Sequence, residues 1–233
     1  MKTLLEKELE RLQDVLIDFG VMVERTLTES ITILKTRNVE SARRLIAADD
    51  EINRRRYSIE SEALGLIARQ QPMAKDLRTL AAILEIASEV ERIADYSKGI
   101  AKIAIHLSSK PLLKPLLDLP RMAALVSDML HRALLSFIDR DAETARSIPV
   151  EDRQIDALYD QIYRELMTFV LSDPSNIEDV NHLLWVAHNL ERTGDRVVNI
   201  CERVIFTVTG EQIEFDDFHD QSEGGNVHQF DKQ

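Results

Sequence analysis

The sequence predicts an all-α protein: two tandem antiparallel three-helix bundles related by an internal repeat. Three observations predict it. Apolar residues recur three and four apart through long stretches, the period of a helix with one buried face. Glycine (7), proline (6) and aromatic residues (5%) are scarce while Leu, Ala, Glu and Arg abound, which favours long helices over sheets. The motif Glu91-Arg92-Ile93-Ala94-Asp95 returns 100 residues later as Glu191-Arg192-Thr193-Gly194-Asp195.

The elements follow in order. From residue 4 to about 36, Leu5, Leu9, Leu12, Leu16, Phe19, Val23, Leu27, Ile31 and Leu34 mark a first helix, which Gly20 interrupts at modest cost. Asn38 is the N-cap of a second, carrying Leu45, Ile52, Ile59, Leu66 and Ile67 and fading near Gln70-Gln71. Pro72 suits the first turn of a third helix, which runs through Leu77, Leu80 and Leu84 to about residue 107. Pro111, Pro115 and Pro120 mark a boundary. A fourth helix spans about 120–140, and Asp141 caps a fifth that reaches about 171, with Pro149 bending or interrupting its early part. After the turn at Ser172-Asp173-Pro174-Ser175, a sixth helix runs from about 177 to 209, where Gly210 stops it.

The repeat is wider than the motif. Residues 23–52 set against 126–155, at a constant offset of 103, share eight identities, among them Arg37/Arg140, Asp49/Asp152 and Ile52/Ile155, where about two are expected by chance. The offset falls to 100 by the third helix, so one turn in the second copy is three residues shorter. The expected division is a first bundle at 1–109, a second at 110–210, and an acidic, disordered tail at 211–233 with Glu211, Glu214, Asp216, Asp217, Asp220, Glu223 and Asp231 against Lys232 alone. His219 and His228 in that tail read as solvated side chains.

Composition narrows the function classes. Hydrophobic residues at 44% and charged residues at 30% suit a soluble globular protein, and no apolar run approaches the ~18 residues of a membrane span. The charged start, Met1-Lys2-Thr3-Leu4-Leu5-Glu6, does not read as a signal peptide, and the single cysteine, Cys201, fits a cytoplasmic protein without internal disulfides. Cys201 falls on an apolar stripe and reads as a core residue. A net charge of -12 makes free nucleic acid a poor partner, since phosphate contacts need a basic surface. Nucleophile elbow, HExxH, CxxC and P-loop motifs are absent, so no enzyme is expected. A ferritin-like di-iron oxidase would need inward-facing Glu-x-x-His pairs, which the core lacks.

The duplicated motif carries the candidate chemistry. Glu91 and Asp95, like Glu191 and Asp195, stand four apart on one side of a helix and repel by a few tenths of a kcal/mol. At 100° per residue they lie opposite the stripe of Leu183, Val186, Leu190, Val197, Ile200, Cys201, Val204 and Val208, or of Ile86, Val90, Ile93, Ser97, Ile100 and Ala104, so they are expected to face outward. Asp49 and Asp152 on the preceding helices can converge on them. Carboxylate-only ligands select hard ions, Mg2+, Mn2+ or iron. His188, on the same face as Glu191, could add a nitrogen. Two plainer readings compete: a solvated face, with Lys98 and Lys102 neutralising Glu91, or a docking patch for a basic partner. Arg92 and Arg192 are expected in inter-helix salt bridges. No Gly-rich loop or clustered basic pocket accompanies them, so no nucleotide site is expected.

Three features go together: Ala68-Arg69-Gln70-Gln71-Pro72-Met73-Ala74-Lys75-Asp76-Leu77-Arg78, the two Glu-Arg motifs ending in Asp95 and Asp195, and Asp49-x-x-x-Asn53 with Asp152-x-x-x-Asp156. On these, across residues 4–210, the sequence resembles the PhoU family of phosphate-specific transport system accessory proteins. The resemblance implies tandem three-helix bundles, a homodimer, and a cytoplasmic negative regulator of the phosphate-starvation response and of phosphate uptake. The implied partners are the Pst phosphate ABC transporter, through its ATPase subunit, and a PhoR-type sensor histidine kinase, with the membrane reached only through them. It also implies multinuclear metal clusters on surface carboxylates in some members. Asn53 departs from the carboxylate pattern, so the first site has one acid fewer than the second, which has Asp156. The rival class is a carboxylate-rich metal-binding or metal-storing helical protein with no signalling role.

Overall fold

The structure, a computed structural model, describes residues 2–215. Helix α1 (Leu4–Thr36) opens on a capping box: the Thr3 hydroxyl accepts from the Glu6 amide, and the Glu6 carboxylate accepts from the Thr3 amide at 2.7 Å. Its buried face is the predicted stripe, from Leu9 to Leu34. Helix α2 (Val39–Gln70) starts at Asn38, whose side chain accepts from the Ser41 amide at 3.0 Å. Helix α3 (Ala74–His106) begins later than Pro72 suggested, because Met73 is extended and takes the N-cap position.

In the second half, α4 (Asp118–Asp139) is followed by α5 (Ala142–Ser147), α6 (Pro149–Ser172) and α7 (Ile177–Thr209). Asp141 caps α5, accepting from the amides of Glu143 and Thr144. Pro149 splits the single predicted fifth helix into α5 and α6: it has no N–H to donate to the preceding turn, and it is tolerated as the first residue of a new helix. Gly210, at φ 83°, closes α7 in a left-handed conformation.

Each half is a three-helix bundle. Helix α2 packs on α1 and α3, and α6, with α5, packs on α7 and α4. The prolines at 111, 115 and 120 fall between α3 and α4 or at the start of α4, but the core does not divide there. Helix α3 packs along α7 and α1 along α4, so the buried apolar side chains of both halves form one continuous cluster. Two glycines permit that approach. A Cβ on Gly20 would lie 2.2 Å from Leu134 Cδ1, and one on Gly99 would lie 2.3 Å from Trp185 Cη2. Gly20, which in sequence reads only as a weak point of a helix, is thus where α4 seats against α1. Polar pairs line the junction: the ion pairs Arg196–Glu89 at 3.3 Å and Arg203–Glu85 at 3.1 Å, and a His131–Glu24 contact at 3.2 Å.

The first residues of the predicted tail lie on the bundle. Ile213 and Phe215 pack against the core, and the Phe215 amide donates to Glu202 Oε1 at 2.9 Å. The rest of the predicted tail, 216–233, with His219 and His228, lies outside the described residues. Cys201 is fully buried, and burial pushes its thiol far above the usual range, as expected of an inert core residue. Among the described residues, no helix is long and apolar enough to cross a membrane.

Candidate functional site

The repeat sets four equivalent positions on facing helices in each half. In the first these are Asp49 and Asn53 on α2, with Glu91 and Asp95 on α3; in the second, Asp152 and Asp156 on α6, with Glu191 and Asp195 on α7. The acids do not face outward as expected. Only Asp95 is exposed; Glu91, Glu191, Asp156 and Asp195 are half-buried, and Asp49 and Asp152 are buried at 5% and 8% exposure. The reason is geometric. A helix in these bundles touches several neighbours, so positions well away from its main apolar stripe still lie along the seam with the second helix of the same half.

The two groups are electrostatically different. In the first, Lys98 Nζ hydrogen-bonds Asp49 Oδ2 and lies 3.8 Å from Asp95 Oδ1, while Asn53 Nδ2 donates to Asp49 Oδ2 at 3.1 Å. The hydrogen bond to Asp49 raises the Lys98 pKa, so the amine stays charged. Glu91 is pushed up by burial, then by Asp95 and Asp49, with Arg56 pulling the other way. The buried carboxylate of this half therefore has a cation of its own chain. Lys98 is expected from the sequence to neutralise Glu91, but its main partner is Asp49, across the α2–α3 seam.

On α7 the position of Lys98 is held by Val198, and that of Ala94 by Gly194. The glycine matters: a Cβ there would lie 2.2 Å from Asp152 Oδ1, so the carboxylate leans against bare backbone. Asp152 Oδ1 is buried without a hydrogen-bond partner, and burial, followed by Asp156, Asp195 and Glu191, pushes its carboxyl up to about 7. Glu191 is pushed up by burial and then by Asp195; its Oε2 is 3.3 Å from His188 Nδ1 but is not aligned for a hydrogen bond. A buried, unsatisfied oxygen costs about 1–3 kcal/mol. Gly194 had no signal in the sequence, because its role depends on a side chain of another helix.

Donor type and charge in the second group fit a hard cation: carboxylate oxygens, two of them buried without a hydrogen bond. As the side chains stand, no three His, Cys, Asp or Glu residues among those described are disposed to hold one ion, so ligation requires rotation of the carboxylates. The first group fits less well, since Lys98 and Asn53 already answer Asp49. Arg92 and Arg192 make no salt bridge among the described residues, contrary to expectation. Arg192 lies over the Tyr96 ring, 5.9 Å from its centre, across the α3–α7 junction.

The PhoU domain family matches the chain twice, at residues 16–104 and 119–204, so each match holds one four-residue group. The chain is 36% identical over 217 residues to a phosphate-specific transport system accessory protein PhoU homolog of Aquifex aeolicus, covering 93% of this chain and 98% of that one. It is 35% identical over 208 residues to the homolog of Xylella fastidiosa, covering 89% and 86%. Among solved structures, it superposes with a TM-score of 0.84 at 30% identity on the phosphate transport system regulatory protein PhoU from Streptococcus pneumoniae, covering 91% of this chain and all of that one. The PhoU of Pseudomonas aeruginosa gives 0.83 at 31% identity, covering 88% and 99%. With both domain matches in register with the internal repeat and with the carboxylate groups, the chain belongs to the PhoU family.

Proposed function

We propose that this protein is a cytoplasmic negative regulator of the phosphate-starvation response and of phosphate uptake. It acts by binding between the Pst phosphate ABC transporter, at its ATPase subunit, and a PhoR-type sensor histidine kinase, whose conformational balance it shifts. The observation that carries this reading is membership of the PhoU family over both repeats; relatives along nearly the whole chain are named as accessory or regulatory proteins of phosphate transport. The family is regulatory, not enzymatic, in keeping with the absence of catalytic motifs from the sequence. Deleting the gene is expected to leave phosphate-starvation genes on in phosphate-rich medium, measured by reporter expression. Normal repression in the deletion strain, with no second copy of the gene, would overturn the reading. A loss of iron tolerance alone would favour the storage class.

A second reading concerns the acids. The second group binds a divalent or trivalent cation, Mg2+, Mn2+ or iron, through Asp152, Asp156, Glu191 and Asp195, and it does so more tightly than the Asp49, Glu91 and Asp95 group. What supports it is the pair of buried, unbonded oxygens on Asp152 and Glu191. Glu191→Ala with Asp195→Ala is expected to abolish Mn2+ binding at this group in calorimetric titration. The helical content should be retained, with stability changed by about 1 kcal/mol or less, since half-buried like charges are being removed. Unchanged Mn2+ affinity in the double variant would leave the acids as a polar seam and nothing more.

A further inference from the structure

Beside the second carboxylate group lies a cavity of about 440 Å3, within the range of small-molecule sites. Two features distinguish this place from its equivalent in the first half: Pro149 breaks the helix here where α2 runs unbroken, and Val198 stands where Lys98 would fill the space. Asp152 and Asp195 line it, and so do three arginines, Arg146, Arg153 and Arg196. Arg146 and Arg153 are exposed and make no ion pair with a described residue, although the protein as a whole carries a net charge of -12. Arg196 reaches Glu89 through Nη1 at 3.3 Å, yet its Nε is buried without a hydrogen-bond partner. Pro149, Val150, Val198 and Phe215 add apolar side chains to the same lining. The clustered basic pocket that was missing from the sequence is thus assembled from α5, α6 and α7.

We infer that this cavity binds an organic phosphate chelated to a divalent cation. Its two carboxylates, one of them the buried Asp152 whose Oδ1 has no hydrogen-bond partner, call for a cation; its arginines call for an anion; and its apolar side chains call for an organic body. One ligand meets all three demands when its phosphoryl oxygens bridge the cation and the guanidiniums, since a small divalent ion is commonly shared between carboxylates and phosphates. Guanidinium also pairs with carboxylates, so a chelating polycarboxylate is the competing source of the same charge pattern. The inference rests on the cation reading of Asp152 but goes beyond it by naming the anion that would share the ion.

The test uses the full chain and calorimetric titration with Mn2+ alone, then ADP, pyrophosphate or citrate, each with and without Mn2+. The expected result is at least tenfold tighter ADP binding with Mn2+ than without, and weaker binding of pyrophosphate and citrate. Arg146→Ala with Arg153→Ala should lower ADP affinity at least tenfold and leave Mn2+ affinity unchanged; both side chains are exposed, so the fold is kept, as circular dichroism would verify. Mn2+ binding without any coupling to ADP overturns this inference and leaves the cation reading standing. ADP binding that ignores Mn2+, or citrate or pyrophosphate binding as tightly as ADP, also overturns it. Failure to bind either Mn2+ or ADP overturns both readings.

Discussion

Replacing Lys98 with Met lowers the stability of the fold by about 3 kcal/mol, the expected cost of removing one partner from a buried ion pair. Asp49 is 5% exposed, and its Oδ2 accepts from both Lys98 Nζ and Asn53 Nδ2. Without the amine, only a neutral amide answers a carboxylate sealed between α2 and α3. The Lys98 side chain keeps 27% of its exposure, which places the loss at the lower end for buried pairs. For a chain of this size, such a loss lowers Tm by roughly 6–12 °C. Chemical denaturation at pH 7.5 measures it, with Lys102→Met as a control on an exposed neighbour, expected within about 0.5 kcal/mol of wild type. Adding Asp49→Asn should recover most of the loss, because both charges are then gone. A cost below about 0.5 kcal/mol for Lys98→Met would mean that the pair behaves as a surface salt bridge.

The opposite sign is expected in the second half: Asp152→Asn makes the metal-free protein more stable at pH 8. Asp152 titrates at about 7 in the fold and near 3.8 in the unfolded chain. Between these values the folded state holds the extra proton, so stability falls as pH rises through the window, by about 4 kcal/mol in all, and the full cost is present above pH 7. Below about pH 4 both states are protonated and the cost vanishes. The asparagine variant carries no such titration. It should therefore match wild type near pH 4 and exceed it by about 2–4 kcal/mol at pH 8 in denaturant melts without metal. Other acids shift in the same direction, including Glu191 and Glu91, so the difference between variant and wild type is the quantity to read. If that difference does not change between pH 5 and 8, Asp152 carries no such burden, and the strongest support for a cation at this site is lost. Excess Mn2+ should raise wild-type stability at pH 8 and leave the variant nearly unmoved, as preferential binding to the folded state requires.

These opposite signs arise in two copies of one motif, and the sequence showed both copies. The heptad-like spacing of Leu9, Leu12, Leu16 and Phe19, the caps at Asn38 and Asp141, the break at Pro149 and the stop at Gly210 are local properties. Each depends on neighbours within a turn or two, so the helices and most of their ends were legible from the chain alone; the start of α3, at Met73 and not Pro72, was not. So was the repeat that put Asp49 with Glu91, and Asp152 with Glu191, on successive helices.

Which way those acids face was decided by tertiary structure. A helical wheel assigns one inside and one outside, but each of these helices touches several others, and the supposed outer acids lie along a seam. The wheel likewise could not show that Lys98 answers Asp49 from across that seam, or that Gly194 exists to let Asp152 approach. Nor could it show that Gly20 and Gly99 seat Leu134 and Trp185 of the other half. The sequence determined the elements and the inventory of charges, because those follow from local backbone preference and periodicity. Burial, and with it the difference between an answered carboxylate and an unanswered one, depends on contacts between residues about 40–50 positions apart in the same half, and only the packed helices decide those.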